Sequence, residues 1–157
     1  ENLLMESLDD DAKVKIADFG FATKVVGSSL TVACGTPGYV APELVSNKPY
    51  GKPVDMWAIG VITYCLLGGY PPFDAETDKL LFKKIRKGEY EFHPQFWDHV
   101  SSDAKNFISC LLQLDPEIRY TCDQALQHPW VSFFLLRNFW KFLEISLILF
   151  FSFSLLL

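Results

Sequence analysis

The sequence predicts a mostly α protein carrying one small β-hairpin. Three observations lead there. Residues 54–67 are apolar on nearly every helical face, the pattern of a helix enclosed at the centre of a domain. Three later stretches place apolar residues at helical spacing between recognisable start and stop signals. Only two short runs near the start, 3–5 and 13–16, have strand character.

A chain of 157 residues is long enough for one domain with a sizeable core. Its formal net charge is −5 and it has no basic stripe, which argues against nucleic acid as a main partner. Lys83, Lys84, Arg86 and Lys87 do cluster, but at helical spacing they read as a solvated face. Cys34, Cys65, Cys110 and Cys122 form no Cys-x-x-Cys pair and no ligand spacing with the histidines. They are expected to be reduced thiols of a cytoplasmic protein. The first residue is Glu1 rather than Met, so the chain reads as a fragment.

Leu3, Leu4 and Met5 form the first strand candidate, and residues 6–11 a polar, Asp-rich turn. Lys13-Val14-Lys15-Ile16 alternates polar and apolar, as a half-buried strand does. Paired, the two strands would deliver Asp18 to the edge of a hairpin. Residues 21–40 have no sustained period, and a loop of that length in a compact domain is usually functional or disordered. Residues 42–46 can make one helical turn, and residues 48–52 a surface turn.

The apolar helix over 54–67 is shorter than the ~20 residues of a membrane span, so it is expected in the core. Pro53 suits its first turn, and Gly68-Gly69 before Pro71-Pro72 stops it. A helix over 77–87 turns Leu80, Leu81 and Ile85 inward, and one over 102–113 buries Ala104, Phe107, Ile108, Leu111 and Leu112. Thr121-Cys122-Asp123-Gln124 has the form of a capping box and opens a short helix ending at His128-Pro129-Trp130. Trp57 and Trp130 are expected in the core. His93, His99 and His128 lack the positioned partner that a catalytic imidazole needs, so they read as surface or turn residues.

The chemistry is carried between Asp18 and Glu43. A carboxylate just after a strand is a hard oxygen ligand for Mg²⁺, and a following Gly lets the backbone turn beside it. Taken alone, Asp18-Phe19-Gly20 is weak evidence. The order is specific: Asn2, Asp18-Phe19-Gly20, Gly35-Thr36-Pro37-Gly38-Tyr39, Ala41-Pro42-Glu43, Asp55-x-Trp57-x-x-Gly60, then Arg119. Over residues 1–131 the chain resembles a serine/threonine protein kinase, most closely the calcium/calmodulin-dependent kinase group. The resemblance implies a protein-kinase-like C-terminal lobe, with the N-terminal lobe absent.

The same resemblance implies ATP and Mg²⁺ as cofactors. It assigns Glu1, Leu4 and Asp18 to the ATP site, with Leu4 under the adenine, and gives Asn2 and Asp18 the metal. By the same likeness residues 18–43 form the activation segment, in which Asp18, Phe19, Gly20, Thr31, Gly35, Thr36, Ala41, Pro42 and Glu43 are the marked positions. Thr36 would support the catalytic base, and that base is expected upstream of Glu1. The family pattern further implies that Glu43 and Arg119 form a buried ion pair, that Asp55 braces the catalytic-loop backbone and that Trp57 is structural. Cys65 stands where some basophilic relatives carry a Glu that reads a substrate Arg, which speaks against a strong demand for that Arg. The usual phosphorylated Thr position holds Val32, leaving Thr31 or Ser29 as candidates for modification.

The resemblance makes the parent enzyme a transferase moving the ATP γ-phosphoryl group to a protein hydroxyl. A protein substrate is its partner, with calmodulin or an upstream kinase as regulator. The fragment itself is expected to be inactive, because base, phosphate-binding lysine and Gly-rich loop are missing together. A non-catalytic interaction module is the alternative. Residues 132–157 form a separate apolar tail in which Arg137, Lys141 and Glu144 are the charges beyond Val131. Its Phe, Leu, Ile and Ser share T-rich codons, which favours a translated non-coding tract over a tail anchor. Membrane association is expected only if the tail is genuine.

Overall fold

The computed structural model describes residues 2–8, 12–23, 25, 30–31 and 35–132. Glu1, Ser29, Val32, Cys34 and the tail beyond Ser132 lie outside the described residues, and with them the ATP-site assignment of Glu1 and both readings of the tail.

Strands β1 (Leu3–Met5) and β2 (Val14–Ile16) pair antiparallel, with Leu3 opposite Ile16 and Met5 opposite Val14. The hairpin continues past both ends, through Glu6 N–H to Lys13 O and Ala17 N–H to Asn2 O, each 2.9 Å. β2 alternates in exposure as its sequence pattern requires, whereas β1 is exposed throughout.

Helix α1 (Pro42–Val45) follows the loop, and α2 (Pro53–Gly68) runs through the centre of the lobe. Trp57, Val61 and Tyr64 of α2 are fully enclosed. The helix is one residue longer at each end than its apolar pattern suggests, because Pro53 takes the first turn and Gly69, at φ 77°, supplies the left-handed cap. It is not buried all round: Leu66 is 76 % exposed. Gly60 lets α5 (Ser102–Leu111) approach closely, since a Cβ there would lie 2.9 Å from both Leu111 Cβ and Leu112 Cδ2.

Helix α3 (Asp78–Lys87) starts at a Thr77 side chain that accepts Leu80 N–H, and it places Lys84, Arg86 and Lys87 in its last turn, where cations suit the helix dipole. It buries Leu81 and Ile85 but leaves Leu80 48 % exposed, which corrects the inward placement expected for Leu80. The four-residue helix α4 (Pro94–Trp97) carries no periodic signal in the sequence and brings Trp97 into the main core against Tyr64, with ring centroids 4.6 Å apart. α5 ends at Leu111, two residues before Gln113. α6 (Cys122–Gln127) opens on a complete capping box between Thr121 and Gln124.

The main core gathers around Trp57, Val61, Tyr64, Ile85 and Trp97, and a smaller one around Met56, Phe107, Leu111 and Ala125. Trp130 packs on the second and is half-buried. His93 and His99 are exposed; His128 does stand in the turn that caps α6, but it is buried there rather than at the surface. Its imidazole takes a place among Phe107, Tyr120 and Asn106 that sequence spacing does not reveal. Among the described residues Cys65, Cys110 and Cys122 are free thiols, and no helix is long and apolar enough to cross a membrane.

Candidate active site

A cavity of about 790 Å³ opens between the hairpin, the segment 35–41 and one stripe of α2. Asn2, Asp18, Thr36, Tyr39, Asp55 and Cys65 line it. Asn2 and Asp18 come together because the Ala17 N–H to Asn2 O bond closes the hairpin immediately before Asp18.

Asp18 sits at φ 64°, a left-handed conformation that few non-glycine residues adopt and Asp tolerates better than most. The turn after it is self-supporting: Asp18 Oδ1 accepts Gly20 N–H at 3.0 Å, and Ala22 N–H meets Phe19 O at 3.0 Å. A Cβ on Gly20 would stand 3.0 Å from that same Oδ1, so position 20 has little room for a side chain. The cavity thus presents a carboxylate and an amide oxygen. Mg²⁺ is commonly held by one or two carboxylates plus phosphate oxygens while keeping several waters, so this donor set fits it.

Thr36 precedes a 3-10 turn, Pro37–Tyr39, in which Tyr39 N–H reaches Thr36 O at 3.0 Å. Upstream, Leu30 and Tyr50 exchange two backbone hydrogen bonds of 2.9 and 3.0 Å, and Thr31 beside them is exposed. Downstream, Ala41, Pro42 and Glu43 are buried. The Arg119 guanidinium meets both Glu43 oxygens, Nη1 to Oε1 at 2.8 Å and Nη2 to Oε2 at 3.0 Å. It also donates to Pro53 O and Gln113 O and lies 5.2 Å over the Trp57 ring. Trp57 itself stacks on Phe73.

Asp55 is buried in the first turn of α2, a place where the helix dipole favours the anion. Burial outweighs that and pushes its carboxyl up to about 8. Burial likewise raises the Cys65 thiol above its ordinary range, keeping it neutral at this wall of the cavity. Leu4 and Phe19 are exposed and stand outside the cavity lining. Tyr39, the last residue of the Gly35–Tyr39 motif, lines it, as do Ala58 and Ile62, which the sequence pattern does not mark as site residues. A signal existed: Asp55, Ala58, Ile62 and Cys65 recur at helical spacing, so one carboxylate in that stripe marks the face.

The protein kinase domain profile matches residues 1–131. The chain is 56 % identical over 132 residues to a calcium/calmodulin-dependent protein kinase type 1 of Caenorhabditis briggsae. It is 55 % identical over 132 residues to the type 1B enzyme of Rattus norvegicus and 54 % to that of Homo sapiens. Each comparison covers 84 % of this chain but only 37–38 % of the relative's length. With the motifs in order and the match spanning nearly all described residues, the chain belongs to the protein kinase domain family.

Proposed function

We propose that this chain is part of a serine/threonine protein kinase that transfers the ATP γ-phosphoryl group to a protein hydroxyl, and that the 157 residues alone do not catalyse it. The reading is carried by Asn2, Asp18 and Thr36 lining one cavity. In the transfer, the acceptor oxygen forms its bond to γ-phosphorus as the bond to the β–γ bridging oxygen breaks. The acceptor proton passes to a base that these residues do not supply. Mg²⁺ held at Asp18 and Asn2 would supply charge neutralisation at the phosphates.

This chain's residues bind and position. Asp18 and Asn2 would hold the metal, and exposed Leu4 would offer an apolar face to the adenine. Thr36 and the Pro37–Tyr39 turn seat the acceptor peptide, and the Glu43–Arg119 pair fixes the far end of that segment. Positioning and electrostatics supply most of the catalysis in phosphoryl transfer, so half of the apparatus is insufficient. In the parent, a cytoplasmic enzyme acting on proteins, calmodulin is the proposed regulator, as the names of the relatives suggest.

The test adds MgATP and an acceptor peptide to the chain. Backbone amides around Asn2 and Asp18 should shift with MgATP, Asp18→Ala should abolish those shifts, and phosphorylation should not exceed the Asp18→Ala level. Shifts elsewhere only, or none, would defeat the site assignment. Turnover above the control would defeat the claim of inactivity.

A further inference from the structure

His128 closes α6, and its ring lies in a pocket built from α5 and the residues on either side of α6. Phe107 stands 5.2 Å from it and Tyr120 6.1 Å, centroid to centroid. Both ring nitrogens are engaged. Trp130 N–H points at Nδ1 from 3.2 Å, so Nδ1 carries the lone pair. The proton therefore sits on Nε2 and is donated to Asn106 Oδ1 at 2.9 Å. Cys110 Sγ–H approaches the same oxygen at 3.9 Å, which agrees with that oxygen being the acceptor.

Residues 129–132 are tied in part by this contact. Residues 129–132 turn helically again, with Ser132 N–H on His128 O at 2.9 Å and Ser132 Oγ on Pro129 O at 3.2 Å. The Trp130 ring packs 5.2 Å from Phe107, beside the imidazole. The lone pair of one neutral histidine is thus a polar tie on this turn, beside the packing of Trp130 and Val131 on the core.

We propose that His128 is a proton-operated latch: a proton on Nδ1 sets two N–H groups against each other, breaks the hold on Trp130 and loosens residues 129–132 from α5. The Nε2 bond to Asn106 survives protonation, so the loss falls on one side of the ring only. The groups that act on the ring oppose one another. Burial disfavours the cation and holds the imidazole below its ordinary pKa, whereas the Asp103 carboxylate of α5 favours it. Cys110 and Tyr120 are the other titratable groups around the pocket, and their mutual hydrogen bond, with burial, raises Tyr120, so it stays neutral. The latch is closed at neutral pH and opens on acidification below the ordinary histidine range.

Hydrogen exchange of the full chain, corrected for the intrinsic pH dependence, reads this directly. Protection at Trp130, Val131 and Ser132 should fall roughly tenfold from about pH 7.5 to about pH 5, the worth of about one hydrogen bond, while Val61 and Tyr64 in α2 stay protected. The fall should vanish in His128→Gln. In Asp103→Asn, an exposed position, it should persist with its midpoint at lower pH. A fall that survives His128→Gln, a midpoint unmoved by Asp103→Asn, or titration of His128 without change at 130–132 would each overturn the proposal.

Discussion

Arg119 and Glu43 meet through two parallel hydrogen bonds of 2.8 and 3.0 Å, although 76 positions separate them in sequence. Neither is exposed by more than a few per cent. The fork geometry is one that a lysine cannot reproduce. Two further guanidinium donors go to Pro53 O and Gln113 O, so one side chain ties α1, the start of α2 and the segment just past α5 together. As an exchange for apolar residues such a pair can be nearly neutral in stability. Removing one partner strands the other charge.

Arg119→Ala should therefore destabilise the chain by about 3–5 kcal/mol. It should loosen the segment around Ala41–Leu44 before it disturbs the hairpin that carries Asp18. Urea unfolding gives the magnitude, and hydrogen exchange gives the location. Arg119→Lys should recover part of the loss, because the charge returns without the second hydrogen bond. A variant unfolding within ~0.5 kcal/mol of the parent would show the pair to be a surface contact in effect.

Gly60 lets α5 and Leu112 just after it pass close against α2. A methyl group there would meet Leu111 Cβ and Leu112 Cδ2, each at 2.9 Å, and one of those contacts is to an atom held by the α5 backbone. Helix propensity alone would make Gly60→Ala stabilising by up to ~1 kcal/mol. Overpacking a fitted core costs ~1–3 kcal/mol and should win, giving a net loss. A rise in thermal midpoint for Gly60→Ala would mean that the two helices can separate freely.

Much of this arrangement could be read from the residues, and the failures have a common cause. The hairpin, the central helix and the Thr121 capping box arise from local pattern, since period, caps and stop residues act within a few positions. What local pattern cannot supply is which side of an element finds a partner. Leu66 and Leu80 have the chemistry of core residues and lie exposed, because no element packs over those positions among the described residues. His128 has the chemistry of a turn residue and is buried, because Asn106 and Trp130 satisfy both nitrogens. The Glu43–Arg119 pair was legible through motif order. On the Glu43 side Pro42 and Leu44 are buried with it, whereas Ile118 beside Arg119 is 63 % exposed, and the guanidinium lies over Trp57 and donates to the Pro53 carbonyl. The cavity was legible only as scattered motif positions. Helix α2 turns them into a wall by spacing Asp55, Ala58, Ile62 and Cys65 along one face.

Asp55 gives the last prediction, because its carboxyl is buried at that wall and is pushed up from 3.8 to about 8 by burial. An unfolded chain leaves Asp near its ordinary value of about 3.9. Between those two values the folded state holds a proton that the unfolded state has released. The contribution is thus fully present below about pH 4 and is lost as pH rises through about 8. Each pKa unit of difference corresponds to ~1.4 kcal/mol, so the loss amounts to a few kcal/mol in order of magnitude. Asn has nearly the same shape and never ionises. Asp55→Asn should match the parent chain near about pH 4.5 and exceed it in stability at about pH 8 by on the order of a few kcal/mol. Taking the difference between variant and parent at each pH removes the opposing contribution of His128, which weakens the fold as pH falls. Urea midpoints measured at half-unit steps from about pH 4.5 to about pH 8.5 would supply that difference. If it stays flat across the range, the Asp55 carboxylate is solvated in the cavity, and burial does not hold its proton.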